Sequence, residues 1–381
     1  MAMGERILYW TSRFWPHIGG VEVLGLHLIP ALQARGMEVQ VITSHSDRPL
    51  PDEAEINGIP IRRFHFLTSL TRRDLPQMAQ TRRSLADFKR AFRPDLTHIH
   101  LTGPEPLFHW QTQAAHPAPT LVTIHAIPNQ TQAHNSLLVD TLRRADWVTT
   151  VSAVMLARLR QLAPEIEGRS SVIYNGVTPP TAVATPLAVE PPVFLCVGRL
   201  IEWKGFDVAL AAFARLLPDF PSARLVIAGD GPARAGLEAQ ARALGIADAV
   251  DFLGWVQPGD VPSRINQCSA VLIPSRQDEN LPIVALQVAQ MARPVIASRV
   301  SGLPEIVQDH VTGLFVEPDQ PEVLAAAMAY LLQHEPEARR LGLANQAFAA
   351  QHFNLDQCAA AYADLYRRLI AAAASRGAEG R

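Results

Sequence analysis

The stretch Val193-Phe194-Leu195-Cys196-Val197-Gly198-Arg199-Leu200-Ile201-Glu202-Trp203-Lys204-Gly205 decides the fold. Its opening apolar run has strand length, ends at a glycine and is followed by an amphipathic segment, the pattern of a βα unit in a parallel sheet. Arg199 and Lys204 fall at the carboxyl end of that strand and the start of the next helix, where open α/β sheets bind ligands. Two cations there suit a diphosphate leaving group. A pair of solvated surface charges is the plainer alternative, and the position at the turn favours the functional one.

The same alternation extends in both directions. Downstream, strands are expected at Arg224–Gly229, Val250–Leu253, Ala270–Pro274, Pro294–Ser298 and Gly313–Val316, then alanine-rich helices from Pro321 to about Ala374 and a polar tail. Upstream, the segment TPPTAVATPLAVEPP over 178–192 holds five prolines, which block helix and ladder hydrogen bonds and mark an extended linker. Before it, strands are expected at Arg6–Trp10, Glu38–Thr43, Ile59–Phe64, Leu96–Leu101, Thr120–His125, Trp147–Ser152 and Ser171–Asn175. These runs divide the 381 residues into a domain over 1–178, a linker over 179–192, a second domain over 193–354 and a terminal helix with tail over 355–381 that packs back toward the first domain. Two doubly wound domains of this kind create a central cleft between the carboxyl ends of two sheets, which suits a reaction between two substrates.

Composition narrows the function. The chain is 48% hydrophobic and 18% charged, within the globular range. A net charge of −2 argues against a nucleic-acid partner. No apolar run approaches the ~20 residues of a membrane span, and the N-terminus lacks the pattern of a secretory leader, so a cytoplasmic protein is expected. The three cysteines, Cys196, Cys268 and Cys358, suggest neither a disulfide framework nor zinc-ligand spacing. No Asp-x-Asp or His-Glu-x-x-His occurs, so no metal is expected to hold the donor. The P-loop and Gly-x-Ser-x-Gly patterns are absent, and Gly229-Asp230-Gly231 is followed by Arg234 where a dinucleotide fingerprint needs glycine.

Three further stretches carry chemistry. Pro16-His17-Ile18-Gly19-Gly20-Val21-Glu22 joins the first strand to a helix beginning near Val21; its glycines admit close approach to the backbone, and the helix start attracts an anion. A tight strand-to-helix turn needs glycine for its own sake as well. Ser275-Arg276-Gln277-Asp278-Glu279-Asn280-Leu281-Pro282 follows a strand and precedes a helix starting near Pro282; Glu279 either accepts sugar hydroxyls or complements the helix dipole. His125 ends a strand and would project into the cleft, although His98 and His100 occupy comparable strand positions and spacing does not choose among them.

Taken together, these blocks resemble the retaining glycosyltransferases of family 4, GT-B enzymes that transfer sugars from UDP- or GDP-activated donors. The matching stretches run from Gly19-Gly20-Val21-Glu22 through Thr123-Ile124-His125-Ala126, Val172-Ile173-Tyr174-Asn175-Gly176-Val177, Gly198–Gly205 and Leu225–Pro232 to the segment from Pro274 to Val316. The resemblance implies a metal-independent hexosyltransferase without a cofactor, acting on a nucleotide sugar and an acceptor hydroxyl. It implies that Gly19, Gly20 and Gly198 lie against the donor, that Arg199 and Lys204 bind its diphosphate, and that Glu279 contacts the transferred sugar. His125 would approach that sugar's hydroxyls, and Asn280, Leu281 and Pro282 would present helix-start amides. The family's second glutamate is replaced by Gln287, whose neutral amide would bond the ribose hydroxyls more weakly. Ser301 stands where the family often has glycine. A GT-B epimerase, hydrolase or phosphorylase, and an inactive donor-binding subunit, are the rival readings.

From Ile61 to Pro94 there are nine Lys or Arg residues against two Asp. Such a patch suits an anionic membrane surface on the cytoplasmic face or an acidic acceptor, and equally an ordinary solvated face.

Overall fold

The computed structural model describes residues 4–17, 19–46, 49–126, 136–178, 182–187, 190–277 and 279–379. Ile18, Asp278, part of the linker and nearly all of the Ile127–Ser136 loop, considered as an acceptor loop, lie outside the described residues. The chain divides into two compact units, one comprising Met1–Gly176 with Leu355–Arg381 and the other Val177–Asn354.

The first unit is built on strands β1 (Arg6–Thr11), β2 (Glu38–Ser44), β3 (Glu53–Ile56), β4 (Ile59–Phe64), β5 (Leu96–Leu101), β6 (Thr120–Ile124), β7 (Trp147–Thr150) and β8 (Ser170–Val172), in the order β3-β4-β2-β1-β5-β6-β7-β8. Every pairing is parallel except β3 with β4. Strand β3 is absent from the strands expected from the sequence. Its hairpin turn is Asn57-Gly58, with φ of 49° and 74°, and two consecutive positive φ angles are what the tightest hairpin turn requires. The apolar runs of the central strands fill both faces of the sheet, so β1 reads Ile7-Leu8-Tyr9-Trp10 without a polar alternate, and all four are fully buried.

The terminal helix Leu355–Glu379 continues past Ala374, shortening the expected polar tail. It belongs to this first unit. Ala359, Tyr362, Ala363 and Tyr366 are buried in one core with Leu24, Leu28 and Leu32 of the helix Gly20–Gln33. The Tyr366 hydroxyl lies 2.6 Å from His98 Nδ1, so the helix also satisfies a polar group on β5.

The second unit carries β9 (Val193–Val197), β10 (Arg224–Ala228), β11 (Val250–Gly254), β12 (Ala270–Ile273), β13 (Val295–Ser298) and β14 (Leu314–Val316), all parallel, in the order β11-β10-β9-β12-β13-β14. From β9 the chain winds outward to β11, then returns to lay β12 on the other side of β9. The strand order therefore reverses between β9 and β12.

Part of the proline-rich segment is tied down rather than free. The buried Arg293 guanidinium donates to the Thr185 carbonyl at 2.9 Å, Thr185 Oγ1 at 2.9 Å and the Asn266 carbonyl at 2.6 Å. Asn266 Nδ2 donates to the Val183 carbonyl at 2.7 Å, and Leu187 enters the hydrophobic core of the second unit. A buried arginine saturated by carbonyls is satisfied without a carboxylate. It converts a stretch that cannot form its own ladder into a strap on the unit that follows it.

Candidate active site

The reversal between β9 and β12 leaves a crevice at the carboxyl ends of those two strands, and the loops that follow them supply the site. The loop after β9 runs through Gly198 and Arg199 into a short 3-10 turn, Glu202–Lys204, closed by Gly205. Gly205 has φ of 67°, and a Cβ there would overlap the Pro274 carbonyl oxygen at the end of β12. Only glycine allows the two loops to approach this closely.

Lys204 Nζ forms an ion pair with Glu279 Oε1, whose carboxylate also accepts from Ser275 Oγ at 2.6 Å. The Glu279 side chain is 4% accessible and that of Lys204 16%. The ammonium also sits 4.5 Å from the centroid of the Trp203 ring. Of the three N–H groups on Lys204, Glu279 takes one. Arg199 is exposed and makes no ion pair among the described residues. The loop pair thus presents one free guanidinium, one buried carboxylate and one shared ammonium.

Arg276 holds this arrangement in place. It donates to Asp207 through Nη1 at 2.8 Å and Nη2 at 2.6 Å, to Asp319 through Nε at 2.6 Å, and to the Glu202 carbonyl at 2.7 Å. Its own amide donates to the Trp203 carbonyl at 2.8 Å. Burial alone would raise the Asp207 carboxyl, but the Arg276 hydrogen bonds outweigh it and hold the group below its usual range. No local sequence pattern marks Arg276, because its partners Asp207 and Asp319 lie far away along the chain.

The glycines of Gly229-Asp230-Gly231 have a packing task. Both have positive φ, 152° and 159°, and a Cβ on either would strike the backbone of the β9 loop at Gly198 or Leu200. Leu200 N donates to the Asp230 carbonyl at 2.9 Å, so this loop sets the height of Arg199 and its neighbours.

At the far side of the crevice, the helix Ile283–Gln290 is capped by Pro282. Pro282 corrects one expectation. A proline has no N–H, so the first amides of this helix belong to Ile283 and Val284. Asn280 is half-buried and Leu281 buried, and the Glu279 carbonyl accepts from Gly302 N at 2.8 Å. Gln287 is half-buried on the helix. Ser301 has φ of 45°, which explains why a glycine is at home there.

The remaining expected residues belong to the first unit. Gly20 begins the helix Gly20–Gln33 one residue before the expected start, with Gly19 as its N-cap; both glycines are exposed. The helix carries Glu22 in its first turn, and burial raises the pKa of its carboxyl. His125 follows β6, with Nε2 2.8 Å from His100 Nδ1. Burial pulls its pKa down to about 4, so the ring is neutral at pH 7.

Among the described residues no cluster of three or more His, Cys, Asp or Glu has the arrangement of a metal site. No helix among them is long and apolar enough to cross a membrane.

The second unit is doubly wound, and its switch point carries two cations beside a buried carboxylate. Comparison with known proteins makes the class definite. Residues 18–179 match the model of Glycosyltransferase Family 4 and residues 181–348 that of Glycosyl transferases group 1, so the chain belongs to the family-4 type of glycosyltransferases. Alpha-D-kanosaminyltransferase from Streptomyces kanamyceticus is 35% identical over 181 residues, covering 47% of this chain and 46% of that protein. Glycogen synthase from Mycobacterium tuberculosis is 29% identical over 394 residues, covering 92% of this chain and 91% of its own. The crystal structure of Anabaena HepE in complex with UDP-glucose superposes with a TM-score of 0.78 at 20% identity, covering 96% of this chain and 100% of that one. The fold is GT-B.

Proposed function

We propose that this glycosyltransferase moves a hexosyl group from a UDP- or GDP-sugar to an acceptor hydroxyl with retention of configuration. The observation that carries the proposal is the Lys204–Glu279–Ser275 cluster at the strand-order reversal, with Arg199 exposed beside it. The UDP-glucose bound by the Anabaena relative supports a nucleotide sugar as donor.

In this reading Arg199 and the spare N–H groups of Lys204 neutralise the diphosphate as its bond to the anomeric carbon breaks. A diphosphate oxygen takes the proton of the acceptor hydroxyl, and the acceptor oxygen bonds to the anomeric carbon on the face that the diphosphate leaves. Glu279 accepts sugar hydroxyls through Oε2, since Oε1 already serves Lys204 and Ser275. Neutral His125 is suited to exchange hydrogen bonds with the sugar rather than to carry charge. No metal enters this scheme, because the two cations carry the charge.

A thermal-shift panel of UDP-, GDP- and ADP-sugars identifies the donor, since a ligand of the native state raises its stability with affinity and concentration. Transfer assays with that donor then test the chemistry. Arg199→Ala is expected to lower turnover by roughly two to three orders of magnitude. Wild-type turnover in that variant would refute the assignment, and binding without turnover in the unaltered protein would instead support a donor-binding subunit.

A further inference from the structure

The first unit carries a charged feature that sugar transfer does not use. Of the nine cations between residues 61 and 94, the structure assigns three to its own scaffold. Arg62 pairs with Glu53 on the neighbouring strand. Arg63 is buried and donates to the Pro51 carbonyl at 3.0 Å and the Trp15 carbonyl at 2.7 Å. Lys89 is buried with Nζ 3.2 Å from His109 Nδ1 and 5.5 Å from the Trp10 ring centroid. Arg72, Arg73, Arg82, Arg83, Arg90 and Arg93 are all exposed.

These six form a ridge. Arg72 and Arg73 make the turn between the helices Phe66–Thr71 and Leu75–Phe92, and Arg93 caps the second helix. Thr81, Leu85 and Lys89 define that helix's inner face. With 3.6 residues per turn, Arg83 and Arg90 project about 140–160° from it, and Leu75, Arg82 and Ala86 about 60–100°. Leu75 is 72% exposed beside Arg72 and Arg73. Two carboxylates lie nearby: Asp74 caps the helix by accepting from Gln77 N at 2.9 Å, and Asp87 pairs with Arg90; six exposed arginines against two carboxylates leave the face net positive.

We propose that this ridge docks on an anionic lipid bilayer, with the arginines on headgroup phosphates and Leu75 at the edge of the acyl region. The helix of 18 residues is about 27 Å long, with Arg72 and Arg73 just before it, Arg82, Arg83 and Arg90 along it and Arg93 just after it, an elongated basic face that suits a flat surface. The chain as a whole has a net charge of −2, so attraction to an anionic surface depends on a locally basic face such as this one. Single-stranded nucleic acid fits less well, because Phe88 and Phe92 are half-buried, their rings 5.9 Å apart, and leave no stacking platform on the ridge.

Co-sedimentation of the whole protein with phosphatidylcholine vesicles, with and without phosphatidylglycerol, tests the proposal at low and high salt. The protein is expected to pellet only with the anionic vesicles and to be released by salt. Arg82→Gln with Arg83→Gln should lower partitioning roughly 10–30-fold. Leu75→Asp should weaken partitioning onto the anionic vesicles at low salt. All three side chains are exposed, so an unchanged unfolding midpoint confirms an intact fold. Equal pelleting with both vesicles, no pelleting with either, undiminished binding by the arginine variant, or binding of an oligonucleotide without binding of vesicles would overturn the proposal. Because no turnover is measured, the outcome is independent of the transferase reading.

Discussion

Replacing Lys204 with alanine separates what the ammonium does for the fold from what it does for the reaction. Its loss leaves the Glu279 carboxylate, 4% accessible, with the Ser275 hydroxyl at 2.6 Å as its one remaining partner among the described residues. Breaking a buried ion pair by removing one partner costs roughly 3–5 kcal/mol, and the partial exposure of Lys204 points to the lower end, about 3. At roughly 2–4 °C per kcal/mol for a unit of this size, the unfolding midpoint should drop by about 6–12 °C. Adding Glu279→Gln removes the stranded charge, so the double variant should regain most of that loss and report a coupling of a few kcal/mol in a double-mutant cycle. Turnover should behave differently. Loss of a cation at the leaving diphosphate lowers it by roughly two to three orders of magnitude, and the second substitution does not restore it. Calorimetric unfolding and a transfer assay on the four proteins of the cycle measure both quantities. An unchanged midpoint in Lys204→Ala would show that the pair is not a buried one, and full turnover would remove Lys204 from the reaction.

Gly205→Ala should destabilise by roughly 2–6 kcal/mol, because φ is 67° and the new Cβ meets a carbonyl oxygen; equilibrium unfolding checks this, and a neutral result would contradict the close approach of the two loops. Ser301→Gly should do the opposite, gaining up to about 1 kcal/mol by relieving a left-handed backbone, as read by the same unfolding measurement. Burial lowers the pKa values of His98, His100 and His125, so the folded chain holds fewer protons than the unfolded one between pH 6.5 and each folded value. Stability is therefore complete above pH 6.5 and lost as the pH falls; His125 alone, from 6.5 to about 4, accounts for roughly 3 kcal/mol, and a midpoint that does not change over pH 4–7 would refute it. Gln287→Glu should tighten donor binding about tenfold by titration calorimetry if this helix position meets the ribose, and equal affinity would remove it from the donor site.

Much of this molecule is legible from residue order alone. Strand positions follow from short apolar runs between glycine and proline punctuation, because a strand covered on both faces must be apolar throughout. The observed sheets reproduce every expected strand, and the Gly198–Gly205 and Ser275–Pro282 loops fall where the alternating pattern places them. The hairpin strand Glu53–Ile56 was also present in the sequence, in the Asn57-Gly58 pair, but its polar edge residues conceal it among loop-like neighbours.

Tertiary structure alone decided which charges act together. Lys204 meets Glu279 and Arg276 bridges Asp207 and Asp319 because strand order brings distant loops together at the carboxyl ends of the strands, while Arg293 straps down Thr185 at their amino ends. Local periodicity contains no term for such long-range pairing. The same limit applies to the basic segment, where nine cations look alike in sequence and only burial distinguishes Arg63 and Lys89, spent inside the unit, from the six arginines on its surface.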